Sequence, residues 1–106
     1  MALQAEQHGD REAEIALWAR GAQAGDATCM NQFGYMLLED GNLDMAIPPL
    51  QGAAHLGIGN AAYNLAAIFA DRDLDRAEQY CLLAIELDVD EAPAQLAELR
   101  ERRQRP

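Results

Sequence analysis

The side chains able to do chemistry are few, and their spacing argues against most of it. His8 and His55 stand 47 residues apart, and no Cys-x-x-Cys, His-x-x-x-His or Glu-x-x-His spacing suggests a metal site. His55 falls near a predicted helix end, where an imidazole is simply solvated or answers the helix dipole. Serine is absent, which excludes a serine nucleophile. Cys29 and Cys81 are 52 positions apart in helical stretches and read as small apolar side chains rather than as a disulfide or a reactive thiol. The acids of Asp71-Arg72-Asp73-Leu74-Asp75 alternate as in a calcium loop, but the central glycine and the later paired glutamate are missing. That run is a turn with a capping aspartate. Gly57-Ile58-Gly59-Asn60 precedes a helix, yet without a strand before it or any lysine it is no phosphate loop. The reading is a non-enzymatic chain with no cofactor and no metal.

Charge narrows the partners. Of the formal net charge of −10, residues 1 to 99 hold 17 acids against 4 arginines. The last seven residues are net positive, with Arg100, Arg102, Arg103 and Arg105 against Glu101. So acidic a body repels nucleic acid and anionic lipid, leaving only the short arginine tail to attract phosphate. No apolar run approaches the roughly 18 residues that cross a bilayer, and Met1 to Asp10 lacks the order of a secretion signal. The expected compartment is the cytoplasm.

The elements that must position any site emerge from an internal repeat. Gly25, Cys29, Phe33, Gly34 and Met36 are answered 32 residues on by Gly57, Ala61, Leu65, Ala66 and Ile68. They are answered 31 further by Asp88, Ala92, Leu96, Ala97 and Leu99. A second set, Leu43, Ala46 and Ala53, recurs as Leu74, Ala77 and Ala84. A period in this range marks stacked helical hairpins that bury their apolar faces on one another. The pattern Cys29, Phe33, Met36, Leu37 lies on one helical face and returns as Ala61, Leu65, Ile68, Phe69. In the third copy Arg100 replaces the last apolar residue, as a solvent-facing terminal unit requires.

Capping and turn residues then predict about six helices in one domain, near 12–24, 27–39, 45–56, 60–70, 74–87 and 91–103. Residues 1–10 are expected to be a short separate helix, closed by His8-Gly9-Asp10, or disordered, and 104–106 a tail. Asp26 suits an N-cap. Gly34 falls mid-helix at a cost of roughly 1 kcal/mol against alanine, so a close helix approach is its expected compensation. Two adjacent prolines, Pro48-Pro49, each cost about 3 kcal/mol or more in a helix interior. They therefore predict a helix starting near Met45 to Ile47, with Leu43 and Asp44 in a turn.

These residues resemble a known family. Ala77-Glu78-Gln79-Tyr80-Cys81-Leu82-Leu83-Ala84-Ile85-Glu86-Leu87-Asp88 is similar to the second helix of a tetratricopeptide repeat. Gly21-Ala22-Gln23-Ala24-Gly25-Asp26-Ala27, followed by Phe33-Gly34-Tyr35-Met36, resembles the related Sel-one-like repeat. The likeness spans residues 9 to about 100, although the period is shorter than the roughly 34 of a standard tetratricopeptide unit. Ile58 stands where the proline that usually ends a repeat is expected. The resemblance implies an all-α, right-handed αα-hairpin solenoid in which the first helix of each hairpin lines a concave, peptide-holding groove. Carried over by position, the groove residues would be Thr28, Asn31, Tyr35 and Glu39, then Asn60, Tyr63 and Asp71, then Glu91 and Glu98. Carboxamides pair with peptide backbone, tyrosines offer broad rigid contact, and carboxylates favour arginine or lysine.

The leading expectation is thus an interaction module, or scaffold, that binds a basic polypeptide in an acidic groove, with affinity falling as salt rises. One alternative is an acidic inhibitor or immunity-type protein that caps a basic enzyme by electrostatically steered association. The other is part of a longer solenoid, or half of a homodimer in which a second copy covers Trp18. Neither nucleic acid nor membrane is an expected partner.

Overall fold

Four of the five connections are shaped by one backbone device that recurs along the chain. Gly25, Gly41, Gly57 and Asp88 have positive φ, at 89°, 82°, 95° and 64°. The next amide in each case turns back to a carbonyl five residues earlier, as Asp26 to Gly21, Asn42 to Leu37, Ile58 to Ala53 and Val89 to Ala84, all at 2.9–3.0 Å. A left-handed residue just past a helix end satisfies its last carbonyls and reverses the chain within a few residues.

The computed structural model describes residues 2–105, with side chains from residue 10 onward. Among these, six α-helices and no strand are present: α1 (Ala2–Gln23), α2 (Ala27–Glu39), α3 (Leu43–His55), α4 (Gly59–Phe69), α5 (Leu74–Glu86) and α6 (Ala92–Gln104). Each packs on its neighbours in chain order, and α2 also touches α4. The molecule measures 51 × 30 × 23 Å along its principal axes. Aspartates open two of the helices: Asp26 Oδ1 accepts the Cys29 amide at 2.9 Å and Asp73 Oδ1 that of Arg76 at 3.2 Å. Asp73 caps α5 from within the acidic run at 71–75.

Two helix starts differ from the sequence expectation. At the N-terminus, α1 is continuous from Ala2 through Gly9 instead of breaking at His8-Gly9-Asp10. A glycine inside a helix costs only about 1 kcal/mol and keeps its N–H, so it does not interrupt a run of alanine, leucine, glutamine and glutamate. Met1 and Pro106, at the ends of the expected N-terminal segment and tail, lie outside the described residues.

The second difference is at α3, which starts at Leu43 and holds both prolines inside it, instead of starting between Met45 and Ile47. The Ala46 amide already bonds the Asn42 carbonyl at 3.0 Å, so the ladder forms ahead of the prolines. Pro48 and Pro49 can deprive only the Asp44 and Met45 carbonyls, in the first turn. Asp44 and Met45 are both exposed residues, Met45 at 62%, so water is close at hand. Half-buried Leu43, meanwhile, packs against the core. Tertiary burial outweighs a local penalty that falls where it can be hydrated.

The core is built from small residues. Ala46, Leu50 and Ala53 of α3, Ala61, Ala62, Leu65 and Ala66 of α4, and Ala77, Cys81 and Ala84 of α5 are wholly buried. Their size lets the backbones approach. A Cβ on Gly34 would stand 2.6 Å from Leu50 Cγ, and one on Gly21 would fall 2.2 Å from Cys29 Sγ, so these glycines mark where α2 meets α3 and α1 meets α2. The expected close approach at Gly34 is present. Phe69 at the end of α4 stacks on Tyr80 of α5 with ring centres 5.8 Å apart, and the Arg76 guanidinium carbon lies over the Phe69 ring at 5.5 Å from its centre.

Candidate functional site

Helices α2, α4 and α6 bring their polar residues to one side of the molecule, where two clefts meet at Tyr63. The first, about 280 Å³, lies between α2 and α4 and is lined by Asn31, Gln32 and Tyr35 facing Asn60, Tyr63 and Asn64. The second, about 360 Å³, lies between α4 and α6, with Tyr63, Ala67, Ala70 and Asp71 on one wall and Glu91, Ala94, Gln95, Glu98, Leu99 and Arg102 on the other. The one-turn spacing of residues 28, 31, 35 and 39, and of 60, 63 and 67, sets each row along a single helical stripe, with Asp71 following just beyond the end of α4. The apolar stripe beside it goes to the core.

Of the nine residues named from sequence, Asn31, Tyr35, Asn60 and Tyr63 share the first cleft. Tyr63, Asp71, Glu91 and Glu98 share the second. Tyr35 is 43% exposed and Tyr63 is half-buried, packed against the core cluster. Thr28 and Glu39 are exposed but line neither cleft. Glu39 lies 3.7 Å from Arg11 of α1, whose guanidinium donates to Asp40 at 2.8 Å. That hydrogen bond raises the Arg11 pKa above its ordinary value.

Sequence reasoning passed over Gln32, Asn64 and Gln95. They occupy equivalent places in the three helices, one residue after Asn31, Tyr63 and Ala94, and the 32- and 31-residue offsets would have found them. Gln95 donates from Nε2 to the Tyr63 carbonyl at 3.1 Å and so ties α6 to α4. Its own Oε1, like Asn31 Oδ1, is buried without a hydrogen-bond partner. An orphan buried acceptor costs about 1–3 kcal/mol. Each cleft therefore has one such carboxamide in its wall.

The arginines are largely spent on the protein's own acids. Arg72 bonds Asp44 at 2.6 Å, Arg103 bonds Glu78 at 3.0 Å and Asp75 at 2.9 Å, and Arg105 bonds Glu101 at 3.1 Å. Arg102 reaches Asp71 at 2.8 Å and Glu98 at 3.5 Å. Of the C-terminal arginines from which phosphate affinity could be expected, Arg103 is thus folded back onto α5 and Arg102 onto the α4–α5 turn, while Arg105 pairs within α6. Glu86, Asp88, Asp90 and Glu91 remain exposed around the α5–α6 connection.

The two thiols are free, Cys81 buried and Cys29 half-buried. Desolvation pushes both pKa values up, helped at Cys29 by the Asp26 carboxylate, so neither is a thiolate at neutral pH. Cys81 Sγ lies 3.2 Å from the Ala92 carbonyl and joins α5 to the start of α6. Among the described residues no three acidic, histidine or cysteine side chains gather as a metal site would require. No helix there is long and apolar enough to cross a membrane. Compared with known proteins, the chain matches no protein-family model and no curated protein.

Proposed function

We propose that the chain is a small helical-hairpin repeat protein of the tetratricopeptide and Sel-one-like kind, and that it binds a basic polypeptide along the α2/α4/α6 side without catalysing a reaction. The observation that carries this reading is the pair of clefts joined at Tyr63. Their walls offer carboxamides, tyrosine rings and carboxylates, which suit an extended peptide with cationic side chains. In-order packing of neighbouring helices, and helix closures that recur at Gly25, Gly57 and Asp88 with the sequence period, support the repeat assignment. The protonated thiols and the lack of a serine speak for binding rather than catalysis. A cytoplasmic setting belongs to the same proposal.

The test is a pull-down with mass spectrometry from a native lysate, comparing the wild type with the Tyr35→Ala/Tyr63→Ala variant after circular dichroism has confirmed that its helices persist. The expected result is loss of a stoichiometric basic partner in the variant. A folded double variant that retains the same partner would rule out the groove.

A further inference from the structure

We propose that the α4/α6 cleft contains a subsite for the guanidinium of a partner's arginine, and that Arg102 fills this subsite until the partner displaces it. The inference rests on the reading of the α2/α4/α6 side as a peptide groove and specifies one contact within it. At the end of the cleft, two carboxylates from different elements converge on one cation: Asp71 beyond α4 at 2.8 Å and Glu98 of α6 at 3.5 Å. Both acids remain open to solvent, with side-chain exposures of 86% and 65%, whereas Arg102 is only 36% exposed. The acids are therefore reachable from outside while the arginine lies against the wall.

The cleft that holds this pair extends to Glu91 and Tyr63 and measures about 360 Å³ in all, room for a backbone and side chain. Beside it, Gln95 fixes the wall of the cleft by donating from Nε2 to the Tyr63 carbonyl at 3.1 Å. The repeat register makes the arrangement specific to this end. Glu39 and Asp71 occupy the position that Arg102 takes in the third copy, so an internal cation stands where the first two units have an acid. Arginine suits the subsite better than lysine because its planar fork can serve two carboxylates together. Exchange of Arg102 for a partner's guanidinium breaks no covalent bond and leaves the charge within the cleft unchanged, so the site selects by shape and chain connection as well as by sign.

Binding of a short fluorescein-labelled peptide of alternating alanine and arginine, followed by anisotropy, tests this directly. Arg102→Ala is expected to bind up to about fivefold more tightly than the wild type, the upper value for releasing an exposed ion pair. Arg20→Ala removes the same charge from an exposed site on α1 and is expected to leave affinity near the wild-type value. Adding Asp71→Asn and Glu98→Gln to Arg102→Ala should abolish the gain, as should citrulline in place of arginine in the peptide. In the wild type, the Arg102 Nε–H resonance should move toward that of a free arginine as peptide is added. An Arg102→Ala protein that binds no more tightly than Arg20→Ala, or an unmoved Arg102 resonance at saturation, overturns the subsite. If that happens while the Tyr35/Tyr63 variant still loses binding, only the subsite falls. If the tyrosine variant also binds unchanged, the groove falls with it.

Discussion

Replacing Gly34 by alanine sets two effects of opposite sign against each other. In an exposed helix interior the change would stabilise by about 1 kcal/mol, because alanine sacrifices less backbone freedom. Here the new methyl would lie 2.6 Å from Leu50 Cγ, 2.8 Å from Leu50 Cδ2 and 3.3 Å from the Leu50 amide nitrogen. Carbon–carbon contacts are comfortable only at about 3.5–4.0 Å, so either α2 and α3 must part or Leu50 must leave its rotamer. Leu50 is wholly buried and has nowhere to go. Overpacking of this kind costs about 1–3 kcal/mol, and a deficit of nearly 1 Å at two atoms argues for the upper part of that range. The expected net effect of Gly34→Ala is a loss of about 1–2 kcal/mol, which lowers Tm by roughly 5–15 °C in a domain of this size. Thermal unfolding followed by circular dichroism measures it. Leu50→Ala opens the same contact, so the double variant should be less destabilised than the sum of the singles. A Gly34→Ala protein at least as stable as the wild type would show that α2 and α3 do not meet in this way.

Two further outcomes follow from the helix ends. Asp88→Gly should raise stability by about 1 kcal/mol in denaturant titration, because it relieves a left-handed aspartate (φ 64°) and removes a negative charge from the carbonyl end of α5; unchanged or lower stability would count against that backbone conformation. The Asp26 carboxyl, held below the usual carboxylate range chiefly by the Cys29 amide, contributes stability that is complete above its unfolded pKa of about 3.9 and is lost as pH falls through its lower folded value. Asp26→Asn, an equally good cap that does not titrate, should therefore show a shallower loss of Tm below about pH 4 than the wild type.

Much of the helical plan was legible because it is written in local chemistry. Asp26 and Asp73 cap where a short acid before an apolar run should, and the left-handed ends at Gly25, Gly41 and Gly57 fall on glycines. The site was legible only as a stripe. The spacing of Asn31, Tyr35, Asn60 and Tyr63 put them on corresponding faces of α2 and α4, but nothing local to Glu39 announced Arg11. Nor did any pattern reveal that Arg102 would close over Asp71 and Glu98, since an arginine can reach any acid within several ångströms and the choice depends on which helix end lies beside it.

By itself, then, the sequence determined where helices stop, which face of each is apolar, and that the pattern recurs every 31 or 32 residues, because caps, glycines and periodicity act over one or two turns of chain. Only tertiary structure decided that α3 would keep Pro48 and Pro49 inside it and that Gln95 would tie α6 to Tyr63. In α3 a local penalty of a few kcal/mol was set against the burial of Leu43 and the residues after it. Whether such a penalty is overcome depends on partners some thirty residues away in the chain.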